Sequence, residues 1–303
     1  MSNIDLNQLN KPVNKQIIAK KSFGQNFLHN KTLCHKIFTS SSIAKNNLAI
    51  EVGPGTAALT TWLLDGCDNI ILIEKDRDCV EYLQNILLSN YENINFASVK
   101  SLQELEGLNF DKGKTKNILL LNYDALKIDL QNIVDNFNKV FNTSFKTLSI
   151  IGNLPYNVGT LLVYNWCQQG SELIDGITIM LQKEVVQRMI AQHTSQHYGK
   201  LSVITQACFK AEYLFDVAAG NFNPPPSVTS AVIKLTRQDI ICDIAKLSTF
   251  CETLFKQRRK KISNLIKNTK YTELFMQEQN KKYLDKRSDE ITTQTIIDLA
   301  CGL

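Results

Sequence analysis

Short apolar runs separated by polar turns extend along much of the chain. Runs at 48–52, 70–73, 118–121 and 148–152 have the length of buried strands and contain few polar residues. Predicted helices lie between them. Strands that alternate with helices from about residue 47 to residue 235 predict an α/β fold, a doubly wound sheet with helices on both of its faces.

The pattern changes towards the C-terminus. Strand signals stop after Arg237, and residues 240–303 carry apolar positions that predict short helices. A chain of 303 residues with 44% hydrophobic content can bury one large core and a smaller second one. We therefore predict two domains, at 1–237 and 238–303. The polar, Asn-rich stretch at 89–117 is interpreted as a surface insertion.

An acidic glycine turn follows the first of these strands. Gly53 and Gly55 permit a tight turn into a helix that we expect to begin near Thr56. Glu74 ends the next strand about twenty residues on, where nucleotide-binding folds place a ribose-binding carboxylate. Glu51 would repel a pyrophosphate but could orient the amino group and the sulfonium of S-adenosylmethionine. The turn therefore favours methyl transfer over hydride transfer.

The fourth run ends in the tetrapeptide Asn-Leu-Pro-Tyr at 153–156. Carbonyl oxygens of Asn153 and Leu154 could accept hydrogens from the exocyclic amine of a planar base and help to localise its lone pair. Pro155 restricts the residue before it, and Tyr156 offers an aromatic face for stacking. The alternative is an ordinary Asn-Pro turn after a strand.

Positive charge is concentrated in two parts of the chain, although the net charge is only +5. The stretch at 256–261 reads Lys-Gln-Arg-Arg-Lys-Lys and suits a phosphate backbone, the alternative being a solvated helix face. A second cluster lies in a basic N-terminal arm, at about 1–25, and contains Lys11, Lys15, Lys20 and Lys21.

The eight cysteines show no Cys-x-x-Cys spacing and no grouping with the four histidines, so we predict no metal site. We find no signal peptide and no apolar run long enough to cross a bilayer. The sequence therefore predicts a cytoplasmic protein with reduced thiols and no membrane partner.

Six blocks of the sequence resemble the 16S rRNA adenine N6-dimethyltransferase family, which includes relatives acting on 23S rRNA and mitochondrial versions. They lie at 21–28, 51–55, 74, 124–126, 152–157 and 222–228. Their number, order and spacing make the match specific. The resemblance implies a Rossmann-like, class I S-adenosylmethionine-dependent methyltransferase sheet at 1–237 and a small all-helical rRNA-recognition domain at 238–303.

The resemblance also implies roles for individual residues. Those expected to bind S-adenosylmethionine are Asn26, Leu28, Gly53 at the methionine part, Glu74 at the ribose, Asp124 at the adenine amine, and Asn153. The expected catalytic residues are Asn153, Leu154, Pro155 and Tyr156. A flipped target adenine is expected between Tyr156 and Phe222, and rRNA against Arg258, Arg259, Lys260 and Lys261.

The activity that the resemblance implies is dimethylation of N6 on two adjacent adenosines in the 3′-terminal hairpin loop of 16S rRNA. The expected partner is a pre-30S particle, the expected state a monomer, and no metal is needed because the cofactor carries the positive charge. Two alternatives stay open: a 23S rRNA dimethyltransferase of the antibiotic-resistance type, and a non-catalytic RNA-binding assembly or transcription factor. A dehydrogenase is less favoured, because nothing in the sequence presents an acid for hydride transfer.

Overall fold

A computed structural model of the chain describes residues 17–108, 110–111, 113–239 and 242–302. Ten strands belong to two sheets. They are β1 (Phe27–Leu28), β2 (Leu48–Val52), β3 (Asn69–Glu74), β4 (Ile94–Val99), β5 (Lys116–Asn122), β6 (Leu148–Asn153), β7 (Ile174–Gln182), β8 (Phe209–Val217), β9 (Phe222–Asn223) and β10 (Ser230–Arg237).

The α-helices follow the strands along the chain. They are α1 (Lys31–Ser40), α2 (Thr60–Gly66), α3 (Arg77–Asn90), α4 (Leu130–Phe141), α5 (Gly159–Gln168), α6 (Lys183–Ile190), α7 (Lys200–Cys208), α8 (Ile244–Phe255), α9 (Ile262–Leu265), α10 (Thr272–Met276) and α11 (Thr293–Cys301).

The larger sheet has the strand order β4-β5-β3-β2-β6-β7-β10-β8. Strands β4 to β7 in this order run parallel, and β10 is antiparallel to both of its neighbours. Strands β3 to β5 lie on one side of β2, and β6 and the later strands lie on the other side. The order of strands therefore reverses direction beside β2. Open α/β sheets bind ligands outside the carboxyl ends of their strands at such a switch.

Both faces of this sheet are covered, as the apolar runs predict. On β3, Ile71 and Ile73 pack in one apolar cluster with residues of α4 and α5, whereas Ile70 and Leu72 pack in another with residues of α1, α2 and α3. All four side chains are at most 3% exposed. Parallel strands buried on both faces read as continuous apolar runs, and the predicted α/β class with helices on both faces is confirmed.

The short helices predicted for the C-terminal part are present. Helices α8 and α11 pack against α7, and α8 also contacts α5. Phe250 of α8 is fully buried and stacks on Phe275 of α10, with ring centroids 6.2 Å apart. The division of the chain into two domains stays a prediction. Within the described residues, no helix is both long enough and apolar enough to cross a membrane.

The interpretation of 89–117 as a surface insertion is wrong for residues 94–99, which form β4, and for residues 116–117, which begin β5. Strand β4 pairs with β5 along its whole length and alternates half-buried with buried side chains, so it is the edge strand of the sheet. The side-chain nitrogen of Asn95, in this strand, donates a hydrogen bond to the side-chain oxygen of Asn117 at 2.9 Å. Asn95 and Asn117 make this edge of the sheet polar, so its composition resembles that of a loop.

The first helix after the glycine turn also begins later than Thr56. Residues 55–59 form consecutive turns, and α2 begins at Thr60. The reason is local, because Ala57 has a φ of +66°, a left-handed conformation that an α-helix excludes.

Candidate active site

A cavity opens at the carboxyl ends of β2, β3, β5 and β6, beside the topological switch. The cavity brings together all six residues predicted to bind a cofactor: Asn26, Leu28, Gly53, Glu74, Asp124 and Asn153. Leu154, Pro155 and Tyr156 also line it. These residues come from distant parts of the sequence, and the parallel strands bring them to one edge.

The glycine turn forms one wall of this cavity. Gly53 has a φ of +70° and Gly55 a φ of +53°, conformations that glycine adopts without strain. A side chain at Gly55 would also collide with the ring of Phe27, because an added Cβ would lie 2.9 Å from it. The Gly53 amide donates to the Ile73 carbonyl at 3.0 Å, which ties the turn to β3.

Glu74 is held rigidly at the end of β3. Its Oε2 accepts from the Gly55 amide at 3.1 Å, and its Oε1 accepts from the Asp76 amide at 2.9 Å. The side chain is buried, and this burial raises the pKa of Glu74, although the two amides act against the shift. A carboxylate fixed in this way can accept hydrogen bonds from vicinal hydroxyls without reorganising.

Asp124 follows β5 and lies across the cavity from the glycine turn. Its Oδ1 accepts from the Leu126 amide at 3.1 Å, and its Oδ2 pairs with the Lys75 ammonium at 2.9 Å. Partial burial acts to raise the pKa of Asp124, but Lys75 and the Leu126 amide outweigh it and hold the pKa below its usual value. The group is therefore an ionised acceptor at neutral pH.

Asn153 ends β6 and contacts the N-terminal segment. Its Nδ2 donates one hydrogen to the Asn26 backbone carbonyl at 2.9 Å, which leaves the side-chain oxygen and the second N–H for a ligand. The Leu154 amide is tied to the Met180 carbonyl of β7 at 3.2 Å. The Pro155 carbonyl accepts from the Gly159 amide at 3.1 Å, at the start of α5. The backbone of 153–156 is thus fixed between two strands and a helix.

The two aromatic residues predicted to hold the target base differ in exposure. Tyr156 is half-buried in the cavity wall, its hydroxyl 2.5 Å from that of Ser230, and burial raises its pKa. Phe222 is only 3% exposed, pairs with Leu28 in the small β1–β9 sheet, and does not line the cavity. The stacking role of Phe222 stays a prediction, but this structure does not place its ring in the cavity.

The N-terminal segment lines the cavity and is fastened by a contact that the sequence did not predict. The Lys20 ammonium pairs with Asp76 at 2.5 Å and with Asp78 at 2.7 Å. Gln25 Nε2 donates to the other carboxylate oxygen of Asp76 at 2.9 Å. Lys20, predicted as a member of a basic cluster in the N-terminal arm, is thus neutralised by two carboxylates. Of the other members, Lys21 is exposed, and Lys11 and Lys15 lie outside the described residues.

The four residues of the predicted basic patch at 258–261 differ in their contacts and exposure. Arg258 donates to the backbone carbonyls of Gln196 at 2.5 Å and Ser195 at 3.2 Å, so it fastens the loop between α6 and α7 to the C-terminal helices. Lys261 pairs with Asp285 at 2.9 Å. Arg259 and Lys260 are exposed at the surface. None of the four residues lines the cavity.

Among the residues that the structure describes, no three His, Cys, Asp or Glu side chains are placed to hold a metal ion. Glu51 is buried and lines the cavity, but among the described residues it does not belong to a group of three side chains that could bind a metal ion.

Comparisons with known proteins agree with this geometry. The family model of ribosomal RNA adenine dimethylases matches residues 17–299. A ribosomal RNA small subunit methyltransferase A from Coxiella burnetii is 35% identical over 257 residues, covering 84% of this chain and 86% of the relative. The protein of that name from Flavobacterium johnsoniae is 31% identical, covering 94% of this chain and 95% of the relative.

Solved structures show the same fold. A dimethyladenosine transferase from Plasmodium falciparum superposes with a TM-score of 0.68 at 20% identity, covering 90% of this chain and 95% of that one. The 23S rRNA methyltransferase ErmE superposes with a TM-score of 0.58 at 18% identity, covering 91% of this chain and 99% of that one.

Proposed function

The chain belongs to the ribosomal RNA adenine dimethylase family, and from that premise we propose that it dimethylates N6 of two adjacent adenosines in the 3′-terminal hairpin loop of 16S rRNA. One observation carries the proposal. The amide of Asn153 is fixed by Asn26 in the wall of a cavity that is also lined by the acidic and glycine residues that suit S-adenosylmethionine.

The residues of the cavity fit the chemistry of this cofactor. Glu74 offers a fixed acceptor for ribose hydroxyls, and Asp124 an ionised acceptor for an adenine amine. Glu51 adds a buried carboxyl oxygen without a hydrogen-bond partner in the described structure, which suits a cationic ligand better than a pyrophosphate. When bound, S-adenosylmethionine supplies a methyl group on a positively charged sulfur.

The protein's part in the reaction is positioning and polarisation. The Asn153 Oδ1 and the Leu154 carbonyl accept hydrogens from the target amine, which directs its lone pair towards the methyl group. Leu154 is buried and anchored to β7, so its carbonyl has a fixed direction. Tyr156 stacks on the flipped adenine, and the proton lost from N6 passes to water. No covalent bond between enzyme and substrate is needed.

The small-subunit substrate is preferred over 23S rRNA for a specific reason. The relatives at 31–35% identity carry a small-subunit name, whereas the 23S enzyme shares 18% identity and its likeness supports the fold alone. We propose a pre-30S particle as the form of the substrate, a monomeric enzyme and a cytoplasmic location. The exposed Arg259 and Lys260 are the proposed contacts to rRNA phosphates.

The proposal is tested by incubating the protein with unmethylated small-subunit particles and S-adenosylmethionine labelled in its methyl group. The RNA is then digested to nucleosides and separated. Label in N6,N6-dimethyladenosine, lost in the Asn153→Ala variant, is the expected result. Binding of the cofactor and of RNA without any transfer would favour the non-catalytic factor instead.

A further inference from the structure

Two cysteines lie against each other where α8 begins and α11 ends. Cys242 stands two residues before α8, and Cys301 is the last residue of α11. Their side chains are in hydrogen-bonding contact, and both are thiols. The two sulfurs are therefore already neighbours, which a disulfide bond requires before anything else.

The packing of the two helices explains this contact without reference to the thiols. Helix α8 packs against α11, and Ile296 and Ala300 of α11 are buried with Leu247 of α8 in one apolar cluster. The Ser288 hydroxyl, before α11, donates to the Leu254 carbonyl, near the end of α8, at 2.6 Å. The helices therefore run antiparallel, and the start of α8 meets the end of α11.

Exposure separates this pair from the other cysteines. Six of the eight are buried, whereas Cys242 is half-buried and Cys301 is exposed. Cys167 of α5 and Cys208 of α7 also make a hydrogen-bonding contact, but both are at most 1% exposed. A dissolved oxidant can reach the first pair through Cys301, while the core shields the second pair.

We propose that Cys242 and Cys301 form a reversible disulfide bond by exchange with a small-molecule disulfide such as oxidised glutathione. The bond joins the start of α8 to the end of α11 and encloses the helical segment 243–300. In a reducing solution both residues stay thiols. Neither cysteine lines the cavity, so the inference is independent of the proposed function.

The exchange balances in two steps. Cys301 gives its proton to solvent, and its sulfur attacks one sulfur of oxidised glutathione, whose S–S bond breaks and releases one glutathione thiolate. Cys242 then gives up its proton, and its sulfur attacks the Cys301 sulfur and releases the second glutathione thiolate. Both thiolates take up a proton, so two protein thiols are oxidised and one glutathione disulfide is reduced to two thiols.

The surroundings of Cys242 set the order of these steps. Burial raises the pKa of Cys242, and its contact with Cys301 adds to the shift. A thiol held protonated in this way reacts slowly with a dissolved oxidant. It can still attack a mixed disulfide on its neighbour, because the reacting sulfur is held next to it. Cys301 is thus the residue that meets the oxidant, and Cys242 completes the bond.

The test is oxidation of the reduced protein with oxidised glutathione, then alkylation of the remaining thiols, digestion without a reductant and mass spectrometry. We expect a peptide that links Cys242 to Cys301, two fewer alkylated thiols, and recovery of both thiols after treatment with dithiothreitol. The oxidised protein should also melt roughly 4 °C or more above the reduced one, because the bond restricts unfolding of the enclosed helices.

Single substitutions test the role of each sulfur. Cys242→Ser should retain glutathione on Cys301 as a stable mixed disulfide, whereas Cys301→Ser should acquire neither glutathione nor a disulfide in the same time. Cys167→Ala is the matched control, because Cys167 lines a small cavity together with Cys242 but is buried. This variant should form the same linked peptide as the parent.

Four results would overturn the inference. They are an oxidised parent that loses no thiols, a stable mixed disulfide on Cys301 in the parent, a bond between Cys242 and Cys167, and a bond between the Cys301 residues of two chains. A linked peptide without a higher melting temperature would contradict the locking of α8 to α11. Methyl transfer by the reduced protein is measured separately, so the failure of this inference leaves the proposed function intact.

Discussion

The side-chain nitrogen of Asn153 donates to the backbone carbonyl of Asn26 over 2.9 Å, which joins the end of β6 to the N-terminal segment across 127 positions of sequence. This bond fixes which face of the amide is presented to the cavity. A segment that lines the cavity therefore also orients the group proposed to polarise the target amine.

The first prediction concerns that amide. Asn153→Ala should lower the turnover of methyl transfer by roughly 100-fold or more, because a positioned acceptor is lost. Asn153→Asp should also be impaired, since its carboxylate would face the Asn26 carbonyl without a proton to donate. Calorimetry should show a much smaller change in cofactor affinity. Asn132→Ala, on the exposed start of α4, is the control, and unchanged turnover in Asn153→Ala would contradict the assigned role.

The second prediction concerns the fastening of the N-terminal segment. Lys20→Ala removes the ammonium that pairs with the buried Asp76 and with Asp78, so the segment should open more often. We expect the cofactor to dissociate roughly tenfold faster. Lys21→Ala, at the exposed neighbouring position, should leave the rate unchanged. Stopped-flow displacement of the cofactor measures both rates, and equal rates in the two variants would exclude the fastening.

The third prediction separates the two aromatic residues. Tyr156→Ala should weaken productive binding of the substrate by roughly 5- to 100-fold, since base stacking contributes about 1–3 kcal/mol. Tyr156→Phe should keep most of it, because only the contact with Ser230 is lost. The measurement is KM for the RNA with each variant. Equal KM values for Tyr156→Ala and the parent would show that the ring does not hold the base.

Phe222 requires a different substitution because it is buried. Phe222→Ala would create a cavity beside Leu28 and lower the free energy of unfolding by about 3–5 kcal/mol. Phe222→Leu keeps the apolar packing and removes only the ring. If Phe222 turns into the site to stack on the base, Phe222→Leu should raise KM for RNA while melting close to the parent. A parent-like KM would limit Phe222 to a packing role.

The fourth prediction concerns the basic patch. Arg259→Glu combined with Lys260→Glu should weaken RNA binding and make the slope of log K against log salt shallower by about 2, one for each lost phosphate contact. Arg258→Ala should instead lower the free energy of unfolding by about 1–3 kcal/mol, because two backbone carbonyls lose a charged donor. Filter binding over a salt series and urea unfolding distinguish the two effects. Arg259 and Lys260 lie in the turns between α8 and α9 and not on a helix, and an unchanged salt slope would identify the patch as a solvated turn.

The fifth prediction is a pH dependence of stability in the absence of cofactor. Burial raises the pKa of Glu51 from 4.5 to about 8, so the folded state holds a proton that the unfolded state releases in this window. The free energy of unfolding should therefore fall as pH rises between these values. Glu51→Gln removes that contribution and should be less sensitive to pH, as measured by urea unfolding at pH 5 and pH 8. An equal change in the free energy of unfolding between pH 5 and pH 8 for the variant and the parent would contradict the raised pKa of Glu51.

The cavity could be anticipated from sequence because its residues end strands of one parallel sheet. Gly53, Glu74, Asp124 and Asn153 each follow or end an apolar run, and parallel packing brings such positions to one edge. The glycine turn by itself is a weak signal that several nucleotide-binding folds share, and the cofactor roles of Asp124 and Asn153 came from the resemblance to a family. Strand order explains why these residues meet, whereas the resemblance selected them.

The contacts of the basic residues could not be anticipated in the same way. Lys20 and Arg258 read as solvated or RNA-binding charges, but their partners lie 56 and 62 or 63 positions away along the chain. Charge sign alone does not distinguish a phosphate from a carboxylate or a carbonyl on a neighbouring segment. The burial of Phe222 likewise follows from pairing of β9 with β1, two strands of two residues each that carry little local signal.

The most direct test of the proposed function maps the modified base. The protein is incubated with S-adenosylmethionine and, separately, with unmethylated small-subunit particles and with 23S rRNA, and primer extension then locates stops caused by N6-dimethyladenosine. We predict stops at two adjacent adenosines in the 3′-terminal loop of 16S rRNA and none in 23S rRNA. Stops at a single adenosine of 23S rRNA, with the small-subunit RNA unmodified, would contradict this account.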